Sequence, residues 1–129
     1  MKTQLPLAAA RLLGELTTNL ALGQYTEMER RSHGIRLTAG QLRKAVDDYG
    51  RELIKLPEEA WKLTDTVLVR DSVPARYSVR QPLWTREEGR SDLSLELTLI
   101  EIAADRFEVE IDNLLVLLER LLSRSDTCR

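Results

Sequence analysis

Histidine and cysteine are nearly missing from this chain of 129 residues, which holds one of each, His33 and Cys128. A metal site built from imidazoles and thiolates is thereby excluded, and so is an intrachain disulfide. A lone thiol next to the C-terminus lacks the fixed base that a catalytic thiolate needs. Cysteine usage this sparse suits a reducing cytosol, so a cytoplasmic location is expected. Aromatic residues are also few, two Trp, three Tyr and one Phe. No basic stripe with interleaved aromatics is present and the pI is about 5.5, so nucleic acid is not an expected partner. No glycine-rich loop follows a strand in the manner of nucleotide-binding folds. No apolar run approaches the roughly 18 residues of a membrane helix, and the first twenty residues lack the basic-then-apolar layout of a signal peptide. Neither charge sign dominates: the net charge is -2, too small for a general attraction to polyanions or membranes.

Leucine is what the chain has in quantity, 24 residues. With 43% hydrophobic residues, a folded single domain is expected over residues 1–129. Its core spans about residues 5–118, and residues 119–129 form a C-terminal extension.

The N-terminal part reads as helix. Leu5, Ala9, Leu12, Leu13, Leu16 and Leu20 recur at helical spacing. Pro6 suits the first turn and Gly23 the left-handed stop, with Leu12, Leu16 and Leu20 facing a sheet. Thr26 and Glu29 form a Thr-x-x-Glu capping box ahead of a short helix over residues 27–31, with Tyr25 and Met28 inward. Ser32-His33-Gly34 breaks it. Thr38 and Gln41 form a second box, and the helix after it buries Leu42, Ala45, Val46 and Tyr49 before stopping at Gly50. Leu53 and Leu56 anchor an extended link, and Pro57-Glu58-Glu59 opens a helical turn carrying Trp61.

From residue 65 the period becomes two. Val67 and Val69 mark a first strand, and Tyr77, Val79, Gln81 and Leu83 alternate on a second. Pro82 places an edge or a bulge there, because it cannot donate to a ladder. Leu93, Leu95, Leu97 and Leu99 alternate on a third strand. Its phase slips at Leu99-Ile100, through a bulge or through burial of both faces. Phe107, Val109 and Ile111 begin a fourth, with Glu108, Glu110 and Asp112 outside. Beyond it two patterns compete. Ile111, Leu114, Leu115, Leu118, Leu121 and Leu122 fit a helix, whereas Ile111, Asn113, Leu115 and Leu117 continue the strand to about residue 117. The sum is an α+β domain: N-terminal helices packed on a curved antiparallel meander of about four strands.

Three strings carry a resemblance. They are Asp47-Asp48-Tyr49-Gly50, the long motif Leu83-Trp84-Thr85-Arg86-Glu87-Glu88-Gly89-Arg90-Ser91-Asp92-Leu93-Ser94-Leu95-Glu96-Leu97, and Val109-Glu110-Ile111-Asp112-Asn113. Over roughly residues 8–118 the chain resembles a bacterial domain family with no established activity. The layout of helices before a meander is similar to the nuclear-transport-factor-2-like, cone-shaped superfamily. That superfamily includes isomerases, cyclases, dehydratases, protein-binding modules and immunity proteins, so the likeness implies a fold and leaves activity open.

The hairpin turn concentrates chemistry. Trp84, Glu87, Glu88, Arg90 and Asp92 form a recognition patch on one reading, since tryptophan and arginine anchor interfaces. On a structural reading, Trp84 packs over the sheet end, Gly89 supplies a positive φ, and Ser91 or Asp92 bonds a local amide. Glu108 and Glu110 add an acidic strand. A cone interior would instead use Tyr25, Tyr49 or Asp112 as pocket residues. Asp112 would turn inward only at a bulge. No catalytic residue, metal ligand or cofactor is identified, and Glu108, Glu110 and Asp112 resemble a solvated strand face more than a cation cage.

The leading expectation is a non-catalytic bacterial binding protein engaging another protein, such as an immunity or accessory factor that masks a basic surface. Residues 65–129 hold nine Arg and thirteen Asp/Glu, which favours such a partner. The alternative is a small-molecule binder or isomerase-type enzyme using the cone interior. A third reading is a homodimer through residues 114–122.

Overall fold

The computed structural model describes residues 4–116. Three helices come first: α1 (Leu7–Ala21), α2 (Tyr25–Ser32) and α3 (Ala39–Tyr49). Strand β1 (Leu53–Ile54) and a 3-10 helix (Glu58–Leu63) lead into β2 (Asp65–Leu68), β3 (Arg76–Thr85), β4 (Gly89–Ala103) and β5 (Arg106–Val116). All pairings between strands are antiparallel, in the order β1-β3-β4-β5, with β2 also on β3. This is the α+β arrangement expected. The expected four strands become five because two short ones, β1 and β2, share a single edge of β3.

Helix α1 enters at Pro6 and is followed by Gly23 at φ +73°. Its buried stripe is Ala9, Leu13, Leu16, Thr17 and Leu20, and Leu12 packs at the margin. The stripe is thus rotated slightly from Leu12, Leu16 and Leu20. The capping box at Thr26 is not formed. Tyr25 is already helical and Gln24 is the cap residue, without a side-chain bond. A capping residue needs non-helical backbone, which Thr26 no longer has. Glu29, released from that role, accepts a hydrogen bond from the Ala39 N–H at 2.6 Å and so steadies the start of the next helix. The second box is present in full: Gln41 N–H donates to the Thr38 hydroxyl at 3.3 Å, and Thr38 N–H to the Gln41 side chain at 2.8 Å. Gly50 ends α3 at φ +74°.

The leucines of β4 are the centre of the core. Leu93, Leu95, Leu97 and Leu99 are all at most 1% exposed and meet Leu13, Leu16, Leu20, Met28, Leu42 and Ile111, each equally buried. Register decides the inward residue of β2. Thr66 lies opposite Val79 and is 3% exposed, while Val67 points away and is 49% exposed. Pro82 marks a bulge, with the register shifting between Pro82 and Trp84. It also falls in the gap on β3's edge between β2, which ends its pairing at Arg80, and β1, which begins at Trp84. Opposite Ser94 of β4 on its other side, Pro82 meets no strand along this edge, where a missing N–H costs little. Gln81 closes the gap. It is fully buried, donates to the carbonyls of Ala60 (3.1 Å) and Pro82 (2.9 Å), and accepts from the Thr64 hydroxyl.

A second bulge resolves the phase of β5. Glu96 pairs with Asn113 but Leu97 pairs with Ile111, so Asp112 is the extra residue. The apolar period then passes from Ile111 to Leu114, both buried. Spacing that reads as helical at Ile111 and Leu114 is thus produced by a strand with one inserted residue. The strand continues to Val116, and residues 117–122 of the proposed dimer face lie outside the described residues. The slip at Leu99-Ile100 has no bulge at that step. Ile100 is 7% exposed on the opposite face, between cross-strand neighbours Arg76 and Glu108, and the irregularity comes later, between Glu101 and Ala103.

Candidate functional site

The β3–β4 turn is held from below by the end of α3. The Tyr49 hydroxyl donates to the Glu88 carboxylate at 2.7 Å and accepts the N–H of Asp92 at 3.1 Å. Thr85 adds its hydroxyl to Glu88 at 3.0 Å. Glu87 accepts the N–H of Glu52 at 3.0 Å, and Arg86 pairs with the Glu52 carboxylate at 3.0 Å. Gly89 turns the chain at φ +74°, and the Ser91 hydroxyl donates to the Leu83 carbonyl at 2.8 Å. Burial and the Glu88 carboxylate raise the Tyr49 hydroxyl above the ordinary phenol range. It therefore stays protonated and remains a donor throughout the physiological range.

Of the residues singled out in the turn, Trp84 is 8% exposed. Its ring packs into the sheet end, as the structural reading has it, and is not available as an interface anchor. Arg90 and Glu87 are exposed, and Asp92 is half-buried. Glu108 and Glu110 are elsewhere. Glu108 lies opposite Ile100, eleven residues along β4 from Gly89, which is roughly 35 Å of strand. Hairpin and acidic strand therefore form two surfaces rather than one.

The three pocket residues are not brought together either. Tyr25 is half-buried between α2 and α3, with the Arg43 guanidinium 5.6 Å from its ring centre. Burial, with Asp47 nearby, raises its hydroxyl. Asp112 is set on the outer face of the sheet by its bulge. It accepts from the Thr98 hydroxyl at 2.7 Å and lies 2.8 Å from the Arg36 guanidinium, which also holds Glu110 at 2.6 Å. Arg36 reaches there from the α2–α3 connection, at φ +69°. His33 caps α2 in a left-handed conformation. Among the described residues, no Asp, Glu, His, Lys or Arg is buried, and no group of His, Cys, Asp and Glu is placed to hold a metal ion. None of the described helices is long and apolar enough to cross a membrane.

Tyr49, Glu88 and Asp92 do share one feature. Together with Asp48, Arg51 and an apolar floor including Leu93 and Leu114, they line an open groove of about 520 Å³ where α3, the hairpin and the end of β5 meet. Two groups proposed for different reasons, a turn residue pair and a pocket tyrosine, thus belong to one site. Asp48 and Arg51 were missed. A signal was available: Asp48-Tyr49 and Glu88 to Leu93 both fall within the strings that carry the family resemblance.

No curated protein and no solved structure matches the chain. A family described as a domain of unknown function (DUF7668) matches residues 17–117, well over half of the sequence. That span takes in the last third of α1, the whole sheet and every residue of the groove, and the chain belongs to this family.

Proposed function

We propose that the protein is a non-catalytic cytoplasmic module that engages another protein, with the groove at the end of α3 as its contact site. One observation carries the reading. Three carboxylates, Asp48, Glu88 and Asp92, against one cation, Arg51, line an open groove with apolar residues at its floor, while the helix-covered side of the sheet is packed with aliphatic side chains. An apolar floor with an acidic rim fits a basic, amphipathic segment of a partner. Charge of this kind raises encounter rates and selects the partner, and contact with the floor supplies affinity. An immunity or accessory factor that masks a basic surface is the specific form of this proposal. Kinship with the nuclear-transport-factor-2-like proteins belongs to it too, supported by the order of helices before meander.

The alternative, chemistry inside a cone, needs a titratable group in an apolar interior. The core leucines fill that space in the described residues, and Tyr25, Tyr49 and Asp112 lie at three separate places around it.

The test is affinity capture of the tagged protein from its own host. Asp48 is well exposed, with a single ion pair to Lys44 at 3.0 Å, so its reversal spares the fold. Asp48→Lys should lower recovery of a stoichiometric protein partner at least tenfold at physiological salt. Glu108→Lys, at the far end of the sheet, should leave recovery unchanged. Equal loss in both variants, or no stoichiometric protein in the unaltered capture, would contradict the reading.

A further inference from the structure

Gly14 stands in the middle of α1 with no conformational reason to be glycine. Four glycines of the chain have positive φ and Gly14 is not among them. A glycine inside a helix costs about 1 kcal/mol relative to alanine. Crowding does not require it either, because a Cβ at this position would meet only the Trp61 ring, at an ordinary 4.0 Å. Its carbonyl accepts the Thr17 and Thr18 hydroxyls at 3.1 and 2.9 Å, so what the glycine provides along a groove is the absence of a side chain, which suits close approach of a flat apolar group.

That groove, of about 510 Å³, lies between α1 and the connection from β1 to the 3-10 helix. Arg11, Gly14 and Thr18 line it from one face of α1, as their spacing of three and four residues requires. Lys55 and Trp61 line it from the other side. Its cations differ in their commitments. Arg31 is held by Glu15 at 2.7 Å and by Glu27 at 3.1 Å. Arg11 and Lys55 make no ion pair among the described residues. Two uncommitted cations, a half-buried indole and the side-chain-free Gly14 position therefore face one space, whose volume falls within the range of small-molecule sites, about 300–1,000 Å³. Glu15 and Glu58 also line it, so its three cations, Arg11, Arg31 and Lys55, outnumber its two carboxylates, one of which is taken up by Arg31.

We propose that this groove binds a small aromatic acid, with its planar ring against Trp61 and Gly14 and its carboxylate or phosphate held by Arg11 and Lys55. Guanidinium and ammonium groups both bond such oxyanions strongly. The site is separate from the protein-binding groove and stands or falls independently of it.

The probe is phenyl phosphate, added to the full chain and followed by NMR. Inorganic phosphate and benzyl alcohol serve as the anion alone and the ring alone. Saturable shifts are expected at the Gly14 amide and the Trp61 indole N–H, with the Trp84 indole as an unmoved internal reference. Each half-probe should bind at least tenfold more weakly. Gly14→Ala should raise the melting temperature and yet weaken phenyl phosphate at least tenfold, a combination that unfolding cannot produce. Arg11→Gln should weaken it by a similar factor. Absence of saturable shifts, equal binding of inorganic phosphate, or unchanged affinity in both variants would each overturn the proposal.

Discussion

Leu97→Ala is expected to destabilise the protein by about 3–4 kcal/mol, the cost of a large core truncation in a site that cannot collapse. Leu97 is fully buried at the centre of β4, with Val79 on one side and Ile111 on the other in the ladder. Both neighbours are fixed by backbone pairing, so neither can move far into the space a leucine leaves. Domains of this size have about 5–15 kcal/mol of stability in total. The variant should therefore lose about a fifth of it or more. Urea denaturation reads this as a lower midpoint with an unchanged slope. Ile102→Ala gives the contrast. Ile102 is 41% exposed within the irregularity between Glu101 and Ala103, and its truncation should cost less than about 1 kcal/mol. Equal effects from the two variants would mean that β4 does not present alternate residues to the core as described.

Gln81→Leu conserves volume and raises hydrophobicity, yet it is expected to cost about 3 kcal/mol. The reason is the gap in β3's edge. Between β2 and β1 no strand satisfies this stretch, and the Gln81 side chain stands in, bonded to Ala60, Pro82 and Thr64. Leucine would remove the donor from two carbonyls and the acceptor from a hydroxyl in a buried place. Each buried polar group left without a partner costs about 1–3 kcal/mol. A conventional hydrophobic argument predicts the opposite sign, so the denaturation midpoint separates the two accounts cleanly. Amide exchange adds a local check: the amides of residues 58–66, which the glutamine ties to β3, should lose protection before those of β4.

How much of this was legible beforehand depends on how local the cause is. Thr38-x-x-Gln41 with Gly50 defined α3 at both ends, because capping uses residues within one turn of the helix end. Alternation from Leu93 to Leu99 announced the central strand, and Gly89 the turn. Thr26-x-x-Glu29 has the same local form as the box that works, and it failed because the chain had already entered the helix at Tyr25. Thr66, not Val67, turns inward, since the register with Val79 outweighs hydrophobicity on a four-residue strand. The inserted Asp112 gave β5 a helix-like spacing, and a single bulge cannot be told from a change of period in so short a run.

The groove was the least legible part. Its making depends on contacts between residues 39 and 43 positions apart, Tyr49 with Glu88 and with Asp92. Glu88 reads as a solvated turn carboxylate until the end of α3 is placed beneath it. Trp84 was attractive as an anchor because of its chemistry, but β1 pairs directly alongside it, Ile54 opposite Trp84, and helps to bury it. The same hairpin thus contributes packing through its strands and charge through its turn.

Site-specific photo-crosslinking in the native host tests the binding account most directly. A benzophenone side chain at Val116, which lines the groove and is 42% exposed, is compared with one at Ile102, equally exposed at the opposite end of the sheet. The account predicts a single protein adduct from position 116, lost when Asp48→Lys is added, and none from position 102. Adducts of the same protein from both positions, or from position 102 alone, would contradict it.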